Sequence, residues 1–313
     1  MKRKILLQLV LPLLGLILLF SLLAFAPGRS QREPALLEMS VILREVDSSH
    51  ISIARQGMEQ AAADLNVELR FLTPSSDNHA QEQLQLLTRE VEAGASAIIL
   101  IPADRELLSP AAADAGKASL VTLETEMENA QRHIGVDNAA LGQALGQAAL
   151  NGVPREGAVL LIDSAPGDNG IRERLEAAAA VLTAEGREVR ICCRTDSLSA
   201  DLQSALAQAA ADAVVAFEPS ALETAVELAW SSETFPLLYG AGSTPLIAAG
   251  LEQNAVTAIL AQNEFTAGYL AVQSAAGLAR HQSPDHLEPM PFTLLRQETM
   301  YLPENQKLLF PVT

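Results

Sequence analysis

The stretch AIILIPAD, residues 97–104, decides the fold. Five apolar residues run without interruption, three of them isoleucine, and the run ends at Pro102 and Asp104. A short β-branched run bounded by proline reads as a strand buried on both faces, as in the middle of a parallel sheet. On its N-terminal side, Asn78–Ala93 places Leu84, Leu87 and Val91 on one stripe and reads as a helix that Asp77 or Asn78 can cap. Before it, Val67–Leu72 reads as a strand, Ile51–Leu65 as a helix with Met58, Ala61 and Leu65 inward, and Met39–Val46 as the first strand. On its C-terminal side come another helix and the strand Leu120–Leu123.

The same rhythm resumes further on. Strands are expected at Ala158–Ile162, Glu188–Cys193, Ala213–Phe217, Pro236–Tyr239 and Ala258–Gln262. Helices are expected at Asn138–Leu150, Ile171–Glu185, Leu198–Ala210 and Ser220–Ser231. Strands alternating with helices imply parallel sheets with right-handed crossovers. So many strands exceed one comfortable sheet, so the expectation is α/β with two doubly wound lobes and a break near Gly135–Asn138.

The N-terminus sets the compartment. Lys2, Arg3 and Lys4 precede the apolar run Ile5–Phe25, which is long enough to span a bilayer as a helix. The cations favour a cytoplasmic N-terminus, leaving everything after Arg29 outside. Two readings stand: an uncleaved anchor, favoured by the length of the run and by Pro27, or a signal cleaved after Ala24-Phe25-Ala26. The protein is thus expected at the cell membrane on its extracytoplasmic side, or secreted if the segment is cut.

Net charge is −17, which argues against nucleic-acid partners. The only cysteines, Cys192 and Cys193, are adjacent and form no disulfide framework. The five histidines have no metal-ligand spacing, and no catalytic triad stands out, so neither an enzyme, a metal nor a cofactor is expected.

In open α/β sheets ligands bind beyond the carboxyl ends of the strands. The loops there are Asp47-Ser48-Ser49-His50, Pro102-Ala103-Asp104 and Glu124-Thr125-Glu126. In the second half they are Asp163–Gly170, Glu218-Pro219 and Gly240–Ser243. Each carries groups able to bond a polar solute. A polar loop is by itself ordinary, and it is the recurrence at every strand end that marks a site.

In this order and spacing the motifs resemble those of type I periplasmic binding proteins, the ribose-binding-like branch, over about residues 38–300. The first-strand loop leads into a helix with Gly57 and Ala61-Ala62. The run ending at Pro102-Ala103-Asp104, Val121–Glu124, Val136-Asp137-Asn138 with Gly142 and Gly146, Arg172-Glu173-Arg174 and Ala258–Gln262 follow. Pro303–Phe310 is similar to the ending of a membrane-tethered subgroup of Gram-positive type.

The resemblance implies two lobes joined by a three-crossing hinge: 38–137 plus 263–288, and 138–262 plus 289–313. Residues 1–29 precede them as cytoplasmic stub and anchor, and 30–37 as linker. It implies an extracytoplasmic solute-binding protein that captures a small polar, sugar-like ligand for an ABC transporter permease or a sensor histidine kinase. Ligand-binding roles fall on Arg172, Glu124 and Gln262, with Ser48, Ser49, His50, Thr125, Asp104, Glu218 and Asn138 around them.

Arg172 suits such a role because a guanidinium is a rigid, permanently charged donor. Its plain alternative is a surface arginine paired with Glu173 or Glu176. Asn138 is expected to fix the hinge backbone more than to touch ligand. The departures are His50 and Ile51 where stacking aromatics are usual, Glu218-Pro219 for Asn-Asp, and Ala241-Gly242 for an Asp. They point to a modified sugar, a polyol or another polar metabolite. They also support the runner-up, a ligand-free interaction module docking to a membrane partner. A repressor of the same fold would need a helix-turn-helix where the anchor stands.

Overall fold

Two sheets, one wholly parallel and one parallel except for its last strand, carry the described residues, and each is covered by helices on both faces. The computed structural model describes residues 36–46, 48–116, 118–282 and 287–310. The apolar segment Ile5–Phe25, with Asp47 and His286, lies outside them. Among the described residues no helix is long and apolar enough to cross a membrane.

The first sheet is built from β1 (Leu37–Ile42), β2 (Val67–Leu72), β3 (Ala97–Leu100), β4 (Ser119–Leu123) and β5 (Arg132–Ile134) in the order 2-1-3-4-5, all parallel. Between them run α1 (Ser49–Leu65), α2 (Ala80–Glu92) and α3 (Arg105–Ala113). β3 is buried along its whole length, as its uninterrupted apolar run requires.

The second half repeats the plan. α4 (Asn138–Leu150) leads into β6 (Ala158–Asp163), α5 (Asn169–Ala184), β7 (Glu188–Cys193), α6 (Leu198–Gln208) and β8 (Ala213–Ala216). α7 (Pro219–Ser231), β9 (Leu237–Ala241), α8 (Pro245–Glu252) and β10 (Ala258–Gln262) follow. Read from β7 the sheet order is 7-6-8-9-10-11, the same winding as the first sheet. The last strand, β11 (Phe292–Leu295), pairs antiparallel with β10. A short 3₁₀ turn and α10 (Pro303–Leu309) close the described chain.

The chain passes between the sheets three times. It crosses at Gly135–Asn138, at Gln262–Glu264, and on the way to β11, where the Met290 amide donates to the Gly135 carbonyl at 2.8 Å. After the second crossing α9 (Glu264–Ala279) packs against α1 and the first sheet. That packing needs two glycines. A Cβ on Gly57 would lie 1.9 Å from the Phe265 carbonyl oxygen, and one on Gly268 would lie 1.9 Å from that of Ala54. Such contacts are far inside van der Waals separation, so the two backbones touch only where no side chain intervenes.

The first strand ends at Ile42 instead of reaching Val46: the Leu43 amide makes the last bond to β2, at the Leu72 carbonyl, and the Leu43 carbonyl is taken by the Gln83 side chain instead of a neighbouring strand. The cap of α2 is His79, whose ring accepts from the Glu82 amide, and not Asp77 or Asn78. β5 is an additional short strand, too brief and polar to show a period.

Candidate functional site

A 2-1-3-4-5 sheet has its switch point between strands 1 and 3, where neighbouring loops leave in opposite directions. Here those points are the ends of β1 and β3 in one lobe and of β6 and β8 in the other. The two ends face each other.

On the first lobe the loop after β1 is held from below. Buried Gln83 donates to the carbonyls of Leu43 at 3.0 Å and Ile101 at 2.7 Å and accepts from the Ala103 amide at 2.8 Å. Asn78, with φ of 55°, donates its amide to the Arg44 carbonyl at 2.7 Å and accepts from the Arg44 guanidinium at 3.0 Å. Arg44 is thereby fixed at both ends and aimed across the cleft. Ser48 caps α1 and bonds His50 Nδ1 at 2.7 Å. His50 Nε2 reaches Glu124 at 3.1 Å. Glu124 stands at the end of β4 with φ of 69°, an unfavourable conformation for a side-chain-bearing residue.

On the second lobe Asp168 caps α5 and accepts from Thr125 Oγ1 of the first lobe at 2.9 Å. Glu218 follows β8 ahead of Pro219 at the start of α7, and its side chain makes no capping bond. It is therefore free to turn into the cleft, where Ser164 donates to it. Arg174 donates to Asn138 at 2.7 Å and to the Phe217 carbonyl at 2.7 Å, holding the end of β8 against the hinge.

The two sets meet at the Arg44 guanidinium. It lies 2.7 Å from Glu218, 3.2 Å from Glu124 and 3.8 Å from Asp168. Glu45 is 2.8 Å away but outside hydrogen-bonding alignment. Burial alone would lower the arginine pKa, yet Glu45, Glu218, Glu124 and Asp168 raise it well above the ordinary value. Burial would raise Glu124, but Arg44 and His50 outweigh it and bring it to about 2. For Glu218 burial is likewise outweighed, by Arg44 and Ser164, and its value is lowered. Burial would lower His50, but Glu45 and Glu124 lift it to about 9, so it is cationic at neutral pH. Burial prevails at Glu45, Asp168 and Glu264, which are all raised.

Of the residues singled out in the sequence, the structure brings Glu124, His50, Thr125, Glu218 and Asn138 into this cluster, with Ser48 behind His50. Asn138 joins the halves, donating to the Glu124 carbonyl at 3.4 Å while accepting from Arg174. Asp104 caps α3 beside the second lobe, near Gly167. Gln262 donates to Glu264 at 2.8 Å and keeps a buried carbonyl oxygen without a partner. Ser49 is exposed.

Arg172 lies outside this cluster, on the exposed face of α5, and Arg174 takes the buried position. Residues two positions apart on a helix differ by about 200° around the axis, so one arginine must face away when the other faces in. Arg44, Glu45, Ser164, Asp168, Arg174 and Glu264 enter the cluster without having been singled out. Arg44 and Glu45 were hidden by extending the first strand to Val46; the polar run Asp163–Gly170 did signal Ser164 and Asp168.

Two rim cavities flank the centre. One, of about 740 Å³, is lined from both lobes by Asp77, Asn78, Asp104, Ser164, Gly167 and Arg194 among others. The other, of about 530 Å³, includes Arg105, Glu126, His133, Asp137 and Glu173. Among the described residues no cluster of His, Cys, Asp and Glu is arranged to hold a metal ion.

Fold and site together define a two-lobed α/β protein whose polar loops converge in one hinged cleft. The profile of the periplasmic binding protein domain matches residues 39–283, and the chain belongs to that family. No curated protein sequence matches it.

Among solved structures it is similar to an ABC transporter solute-binding protein from Agrobacterium vitis with bound D-fucose. The TM-score is 0.80 at 17% identity, covering 87% of this chain and 100% of that one. A carbohydrate transporter solute-binding protein from Agrobacterium radiobacter, in complex with D-arabinose, gives 0.80 at 16%, covering 88% and 99%. A XylFII–LytSN complex gives 0.78 at 15%, covering 85% and 99%.

Proposed function

We propose that this chain is an extracytoplasmic solute-binding protein. It captures a small polar, sugar-like ligand between its lobes for an ABC transporter permease or a sensor histidine kinase. The observation that carries this is the convergence of both switch points on one hinged cluster, with hydrogen-bonding groups from each lobe. Similarity to solute-binding proteins solved with D-fucose and D-arabinose supports the sugar-like class. Similarity to a protein solved in complex with LytSN supports a protein partner.

In this proposal Ile5–Phe25 tethers the protein to the membrane, as in the Gram-positive-type subgroup. Lobe one comprises 38–137 plus 263–288, and lobe two 138–262 plus 289–313. It is a binding protein and not an enzyme. Thermal-shift measurements against sugars, polyols and amino acids test capture. A bound ligand adds about 2.7 kcal/mol at a hundredfold excess over Kd, and no stabilisation by any of these classes overturns it.

One observation favours a second reading, a docking module that takes no solute. Arg44 already fills the centre of the cleft with contacts to both lobes.

A further inference from the structure

A two-lobed binding protein closes because a ligand makes contacts to both lobes that exist only in the closed form. In this molecule one of its own side chains makes such contacts. The Arg44 side chain is 2% exposed and belongs to the first lobe through β1. Its guanidinium is 2.7 Å from Glu218 and 3.8 Å from Asp168, both of the second lobe. It is also 3.2 Å from Glu124 and 3.0 Å from Asn78 of its own lobe. Gln83 and Asn78 hold the loop that carries it, so its position is built, not incidental.

We propose that Arg44 is a built-in ligand: its guanidinium holds the two lobes together and occupies the centre of the cleft, so that a solute reaches that place only by displacing it. The chemistry that replaces it is cationic, a guanidinium or amine. The place is walled by the carboxylates of Glu45, Glu124, Asp168 and Glu218. A neutral polyhydroxylated solute would leave four buried carboxyl groups facing His50 as their nearest remaining cation, at a cost that hydroxyl hydrogen bonds do not offset. Arg44 is thus a specificity-determining residue. This rests on the capture reading for the use of the cleft, though not for the closure, and it replaces the sugar-like ligand class at the centre with a cationic one.

The test measures inter-lobe distance by electron–electron spin resonance in the full chain, held in detergent. One label sits on native Cys193, which is exposed on β7, and the other on Gln85→Cys, exposed on α2. Buried Cys192, its thiol pushed up to about 11 by burial, stays largely unlabelled.

With Arg44 present, a single narrow distance is expected, unchanged by D-fucose or D-arabinose. In Arg44→Ala the distribution should broaden and move to longer values. n-Propylguanidinium should restore the narrow distance in a saturable way, while sodium chloride at equal concentration should not. If Arg44→Ala does not fold, Glu218→Gln replaces it, keeping the shape and removing the charge across the cleft; a shift to longer distances is again expected.

An unchanged distance in whichever variant folds overturns the proposal, and so does failure of n-propylguanidinium to restore closure in Arg44→Ala. If sugars shorten the distance in the unsubstituted protein, the built-in ligand falls while solute capture stands. If sugars bind neither protein but Arg44→Ala opens and n-propylguanidinium recloses it, the built-in ligand stands and sugar capture falls.

Discussion

The lobes meet at a centre and at a rim, and both meetings use an arginine and a carboxylate. At the centre Arg44 and Glu218 are 2.7 Å apart, with side chains 2% and 1% exposed. At the rim Arg105 and Glu173 are 3.2 Å apart and 33% and 44% exposed, and Arg194 and Asp77 are 3.9 Å apart. The chemistry is alike, and Arg105 faces the second lobe as Arg44 does; the solvent is not alike. Two charges at about 4 Å attract by about 1 kcal/mol in water and about 4 kcal/mol where the effective dielectric falls to about 20. Burial also makes each unpaired charge expensive. The centre therefore sets which closed arrangement is stable, and the rim mainly biases the approach.

The comparison breaks first at its strongest point. Arg44→Ala should destabilise the protein by about 3–5 kcal/mol, because it strands buried carboxylates; urea unfolding measures this. A loss no larger than that at the rim would mean that solvent reaches the centre.

The alkaline limb of the pH–stability profile sharpens it next. His50 titrates at about 9 in the folded protein, above its ordinary value of about 6.5. Its contribution is therefore fully present below about pH 6.5 and is lost as pH rises through about 9, amounting to about 3 kcal/mol at most. Glu124, at about 2, works in the opposite window: its contribution is present above about pH 4.3 and lost as pH falls through about 2. Melting temperature followed from pH 6 to 10 should fall steeply in the unsubstituted protein and much less in His50→Gln. Parallel profiles would remove His50 from the charge network.

Arg174→Ala should cost about 1.5–3 kcal/mol, the worth of charge-assisted hydrogen bonds such as those to Asn138 and Phe217. Arg105→Ala at the rim should cost about 0.2–1 kcal/mol, fading in high salt; persistence of the loss in salt would make the rim pair more than a surface contact. The smallest effect belongs to Arg172→Ala, within about ±0.5 kcal/mol. A loss matching that of Arg174→Ala would reverse the assignment of the two helix faces.

What could be read beforehand follows from local physics. β3, with Ala97-Ile98-Ile99-Leu100, and β8, with Ala213-Val214-Val215-Ala216, announce strands buried on both faces, and they are. The alternation around them implies doubly wound sheets, whose switch points fall beyond strand ends whatever the side chains. Glu124, Thr125 and Glu218 were visible as polar residues at those ends.

Arg44 was not, because nothing local marks where β1 stops. The strand ends at Ile42 because Gln83, far along the chain in α2, captures the Leu43 and Ile101 carbonyls. Nor does a local rule separate Arg172 from Arg174. The phase of α5 is set by its packing on α4, where a Cβ on Gly142 would lie 2.1 Å from the Arg174 carbonyl.

The sequence alone thus determined most of the elements, their winding and the loops that could bear a site, because hydrophobic period and turn chemistry act over a few residues. Only the tertiary structure decided which charges meet. Arg44 and Glu218 are separated by 174 positions, and the free energy of a buried ion pair depends on solvent exclusion and alignment, which exist only once both lobes have folded and come together.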